Sequence, residues 1–86
     1  MKKSLTLTAD GNDYTFIVTT ESYNRIINGA GKNLAGTTIQ FLQSTIAADQ
    51  RDDLTRFMDE NPAAPQAMAE VLLAEFAPRV DVALKR

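Results

Sequence analysis

Alternating stretches open the chain, helical stripes fill its middle, and alternation returns near its end. Leu5, Leu7 and Ala9 alternate with Thr6 and Thr8, and Tyr14, Phe16 and Val18 alternate with Thr15 and Ile17. A period of two puts the apolar residues of each run on one face of a strand. Between the runs lies Asp10-Gly11-Asn12-Asp13, in which Gly11-Asn12 suits a two-residue hairpin loop with positive φ at its first position. That loop sets Ala9 opposite Tyr14, Leu7 opposite Phe16 and Leu5 opposite Val18. One face of the hairpin, Lys3 to Thr19, is then wholly apolar, and the other carries Thr6, Thr8, Thr15 and Ile17. A slip of one residue would destroy the agreement.

Helical spacing follows. Thr20 suits an N-cap, with Glu21 in the acid-favouring first turn. Tyr23, Ile26 and Ile27 form a short stripe, and Asn28-Gly29 ends it with a left-handed stop. A glycine-rich loop, Asn28 to Gly36, leads to a second helix capped by Thr37 or Thr38 and running to about Ala48. Ile39, Leu42 and Ile46 lie within about 60° on its wheel. Phe41 falls away from them, near Thr38 and Thr45. Leu54, Phe57 and Met58 mark a third helix between Asp49 or Gln50 and Asn61-Pro62. The longest apolar pattern is Ala64 to Leu84. Met68, Val71, Leu72 and Phe76 give a fourth helix, opened by Pro65 and closed before Pro78. Val80, Val82 and Leu84 then alternate as a final strand, Arg79 to Lys85. The order β-β-α-α-α-α-β predicts an α+β fold. The N-terminal hairpin and the C-terminal strand form a small antiparallel-type sheet packed against about four helices.

Composition narrows the function. Eighty-six residues make one domain, 1–86, and an apolar fraction of 44% fits a soluble globular chain. The chain has no cysteine, histidine or tryptophan. Disulfides, thiol nucleophiles, thiolate zinc sites and histidine-based triads are excluded. A net charge of −2, with scattered basic residues, speaks against a nucleic-acid binder, which needs a basic footprint. No apolar run is long enough to span a bilayer, and the start, with threonines interrupting any apolar stretch, does not read as a signal peptide. The expected compartment is the bacterial cytoplasm, with no membrane partner.

Each candidate for chemistry has a simpler explanation. Gly31 to Thr38 has the glycine spacing of a P-loop, but Thr37 stands where the lysine must follow, and no strand leads in; GxGxxG fails at Leu34. Asp10 to Asp13 lacks the later ligands of a calcium loop and is explained as a turn. Asp49, Asp52, Asp53, Asp59 and Glu60 could hold a cation for a carboxylate-dependent enzyme, but Arg51 and Arg56 lie among them, as on a solvated helical face. No cofactor is expected. Phe41 and Leu73 both lie off their main stripes. Either they are core, as most large apolar residues of a small domain are, or they form a partner-binding patch. The candidate contact set is Phe41, Leu73, Leu34, Thr38 and Thr45.

A resemblance enters here. An N-terminal strand runs into Val18-Thr19-Thr20-Glu21-Ser22-Tyr23-Asn24-Arg25-Ile26-Ile27-Asn28, and Phe41-Leu42 follows on a helix. Asn61-Pro62 precedes an apolar helix, and Glu75-Phe76-Ala77-Pro78 leads to a segment ending in Lys85-Arg86. Over nearly its whole length the chain resembles the small tail assembly chaperones of tailed bacteriophages and prophages. The resemblance implies a non-enzymatic protein that binds the tape measure protein during tail morphogenesis, helps recruit tail tube protein and is absent from the finished particle. A structural tail or connector protein, or a general adaptor, would share these motifs. Several copies, including homo-oligomers, would add avidity along a long client. The family offers no catalytic set to transfer.

Overall fold

The computed structural model describes residues 1–78 and 80–85. Strand β1 (Lys2–Ala9) and strand β2 (Asn12–Thr19) form an antiparallel hairpin. Four α-helices follow among the described residues: α1 (Thr20–Ala30), α2 (Leu34–Thr45), α3 (Arg51–Glu60) and α4 (Ala64–Phe76). A short 3-10 helix, Ala48–Gln50, leads into α3.

The hairpin has the expected faces in a different register. Leu7 pairs with Tyr14 and Leu5 with Phe16, so the loop is Asp10-Gly11 and not Gly11-Asn12. Asp10 has φ 49° and Gly11 φ 82°, the positive pair that a type I′ turn requires. The shift is two residues, and the side-chain period is also two. The same residues therefore face the helices: Tyr14, Phe16 and Val18 are buried, and Leu5, Leu7 and Ala9 are half-buried against the same core.

Among the described residues the expected three-stranded sheet is not formed. That sheet has two strands, and the described part of the expected final strand has no assigned secondary structure, with Val80, Val82 and Leu84 at 75%, 81% and 82% exposure. Arg79, which that expectation included, lies outside the described residues. The reason is direction. Helix α4 runs back along β1, from Ala64 near Thr8 to Phe76 near Lys3. A strand beside β1 would have to reverse at once through Pro78, whose φ is fixed.

The helical boundaries also move. Thr19, not Thr20, caps α1: its hydroxyl accepts from the Ser22 N–H at 3.1 Å, and the Ser22 hydroxyl accepts from the Thr19 N–H at 2.9 Å. This reciprocal pair is a capping box with serine in the acid's place. Gly29 does not stop α1; it lies inside the helix, where a Cβ would come within 2.9 Å of the Thr37 side chain. The missing side chain permits α1 and α2 to approach closely. The long glycine-rich loop shrinks to Gly31–Asn33, and Asn33, not Thr37 or Thr38, caps α2 by accepting from the Gly36 N–H at 3.0 Å.

Helix α2 is the centre of the helical layer, touching α1, α3, α4 and β2. Neighbours on several sides widen its buried arc to Thr38, Phe41, Leu42 and Thr45, about 140° when Ile46 is included. Ile39, expected on the main stripe, is left at the rim of that arc, 37% exposed. On α4 the buried arc centres on Leu72, with Pro65, Met68, Ala69 and Phe76 around it. Small Ala69 takes the place that the expected stripe gave to Val71, which is exposed. Phe16, Val18, Leu42, Leu54 and Leu72 close the core between hairpin and helices, each fully buried.

Candidate functional site

The beginnings of α2 and α4 lie side by side. Leu34, Ala35, Thr38 and Ile39 from α2 meet Pro62 and Pro65 from the α3–α4 connection and the first turn of α4. Between them is an apolar groove of about 140 Å³. Local sequence builds both walls. Asn33 starts α2 so that Leu34 sits in its first turn, 52% exposed. Pro62 cannot donate to a helix, and Pro65 enters the first turn, where no N–H is needed. Thr38 and Gln66 are its polar side chains and the rest of the lining is apolar, so the groove can receive apolar side chains of a partner.

The candidate contact residues separate across this geometry. Leu34 and Thr38 line the groove together, Leu34 at its lip and Thr38 at its floor, since Thr38 is only 4% exposed. Phe41 and Thr45 continue along α2 into the core, at 4% and 5% exposure. The buried Thr45 hydroxyl donates to the Phe41 carbonyl at 2.8 Å, which satisfies it inside the helix. Leu73 is half-buried against the core on α4 and is not part of the groove. Ile39, Pro62 and Pro65 complete the groove and were not among the sequence candidates. The two prolines had been explained as helix punctuation, which hid their second role as wall.

The other sites resolve into local structure. The Lys32 and Asn33 N–H groups donate to the Gly29 carbonyl at 3.2 and 3.3 Å; the glycine-rich link thus spends its donors on its own backbone and does not turn them towards a phosphate. In the turn, the Asp13 carboxylate accepts from the Thr8 hydroxyl at 2.6 Å. Among the described residues no three acidic side chains stand close enough to share a metal ion. Asp53 faces Arg56 at 3.7 Å across a well-exposed helical surface. Beside it, burial pushes the Tyr14 phenol above its ordinary pKa, and the Asp53 charge adds to the shift. Tyr14 is stacked at a tilt on Phe57, 5.7 Å between ring centres.

Two polar side chains do structural work that the sequence pattern did not mark. Gln50 stands at the N-cap position of α3, as expected, but its side chain makes no cap hydrogen bond; it pairs with the edge of β2, its Oε1 accepting from the Thr15 N–H at 2.8 Å and its Nε2 donating to the Asp13 carbonyl at 2.9 Å. Lys3 Nζ donates to the Phe76 and Glu75 carbonyls at 3.2 and 3.3 Å, tying the end of α4 to the start of β1.

Comparison with known proteins adds identity to this geometry. The family model described as phage tail assembly chaperone matches residues 5–86. No curated protein sequence matches the chain. Among solved structures, an uncharacterised protein from Bacillus stearothermophilus superposes with a TM-score of 0.76 at 16% identity, over 96% of this chain and 90% of that one. At that identity the likeness speaks for the fold alone.

Proposed function

The chain belongs to the phage tail assembly chaperone family, and from that membership we propose that it binds the tape measure protein while the tail is being built, in the host cytoplasm, and leaves before the particle is complete. The observation that carries the reading is the family match across nearly the whole chain. The geometry is compatible with it. The described surface offers apolar groups for contact, as a binding role requires.

The client contact belongs at the α2–α4 groove, with Leu34 and Ile39 as exposed anchors, Thr38 as floor, and Phe41 and Thr45 as the packed support beneath. An amphipathic client helix laid against such a groove is held by spaced apolar anchors. Leu73 extends the same α4 layer from the core side. Weak individual contacts suffice when several copies bind one long client. Tail tube protein is the second partner in this reading.

Mass spectrometry tests the chaperone role against that of a retained tail component. The chain should be found in tail precursors together with tape measure protein and be missing from purified finished particles. Its stoichiometric presence in finished particles would overturn the proposal in favour of a structural tail protein.

A further inference from the structure

The two edges of the hairpin are treated differently. The β2 edge is covered: the Ala47 N–H donates to the Thr15 carbonyl at 2.9 Å, Ile46 bridges Phe16, and the Gln50 amide takes the Thr15 N–H and the Asp13 carbonyl. Among the described residues nothing covers the β1 edge in this way. The two-residue turn makes Ala9 and Asn12 the closing hydrogen-bonded pair, so Lys3, Leu5, Leu7 and Ala9 turn their backbone groups towards β2. Ser4, Thr6 and Thr8 direct theirs outward. Natural edges are commonly blunted by proline, bulges or charged side chains, and Ser4 to Thr8 carries none of these.

Beside this open edge lies a trough. Two adjoining depressions of about 340 and 430 Å³ run between β1 and α4, with Leu7, Ala9, Ala67, Met68 and Val71 on their walls. Val71 is 54% exposed there. An added strand would have its apolar face over Val71 and its polar face to water, because alternate residues point to opposite sides.

The same chain contains a segment of that description. Val80, Val82 and Leu84 alternate with Asp81, Ala83 and Lys85, and all three apolar residues are at least 75% exposed. It lies away from its own edge, since α4 ends beside Lys3 and the chain passes through Pro78.

We propose that segment 80–85 of one copy adds as a strand to the β1 edge of a second copy, with Val80, Val82 and Leu84 seated in the trough over Val71 and Ala67. Backbone hydrogen bonds to Ser4, Thr6 and Thr8 give the affinity, and the alternating side chains give the register. Reciprocal exchange closes a two-fold dimer; one-way donation runs into a chain of copies. This contact uses a surface separate from the α2–α4 groove and stands independently of the client assignment.

Sedimentation analysis of the purified full chain tests it. The unaltered protein should show a mass of two copies or more that rises with concentration. Val82→Asp, an exposed position, should leave the fold intact and give a monomer. Thr6→Pro, which removes an outward N–H, should also give a monomer with an unchanged circular dichroism spectrum. Mixing the two variants should restore a mixed dimer, because one supplies an intact segment and the other an intact edge. If Thr6→Pro fails to fold, Val71→Glu takes its place as the edge-defective partner. A monomeric unaltered protein at every concentration overturns the proposal, including one whose segment amides are protected on its own edge. So does an oligomer that Val82→Asp leaves unchanged.

Discussion

Phe41 and Leu34 lie on one helix and divide its two roles. Phe41 is buried in the core cluster, so Phe41→Ala removes a ring from a packed core and should cost about 3–5 kcal/mol. Against a total of about 4–13 kcal/mol for a chain of this size, urea denaturation should show a large fall in midpoint. Leu34→Ala, at an exposed position, should stay within about 0.5 kcal/mol in the same measurement. The sequence could not separate them, because the buried arc of α2 contains two threonines that look like surface. Thr19→Ala should cost about 1 kcal/mol through loss of the cap; Thr19 and Thr20 are equally good caps by residue type, and only the end of β2 decides between them. Tyr14 adds a pH dependence. Its phenol holds its proton more tightly folded than unfolded, so its contribution is fully present below the ordinary value of 10.0 and is lost as pH rises through the raised folded value. Thermal melts should therefore show the native chain losing stability relative to Tyr14→Phe only above about pH 10.

At the scale of elements, Gln50 and Lys3 do what the apolar pattern cannot express. Gln50 is a side-chain substitute for a strand: with Ala47 it satisfies the Thr15 N–H and carbonyl and the Asp13 carbonyl on the outer side of β2. Gln50→Ala leaves the Thr15 N–H without its partner and should cost about 1–3 kcal/mol, with faster amide hydrogen exchange confined to Asp13–Thr15 and its surroundings. The hairpin faces and the existence of four helices were legible, because period two and helical spacing are written in the side chains themselves. The register was not. A shift by two preserves every face, and only the turn preference of Asp10-Gly11 over Gly11-Asn12 distinguishes the alternatives. The last strand misled for a related reason. Alternation at Val80, Val82 and Leu84 specifies a face, but pairing needs an edge within reach, and the direction of α4 places that edge behind the segment.

For the whole molecule, the fold leaves its apolar surplus in places that suit association. The α2–α4 groove, the trough beside β1 and the 80–85 segment each present exposed apolar side chains: Leu34 and Ile39, Val71, and Val80, Val82 and Leu84. The groove was half legible: Leu34 and Thr38 were candidates, whereas Ile39, Pro62 and Pro65 acquire their role only when two helix beginnings meet in space. Family membership makes the chain a phage tail assembly chaperone, and the proposed client is the tape measure protein. The most direct measurement is co-expression of the chain with the tape measure protein of the same phage, reading soluble yield and co-purification. The client should become soluble and co-purify with the native chain, and the stably folded Leu34→Asp variant should lose most of both. A client that stays insoluble and unbound beside the native, folded chain would contradict the proposed role.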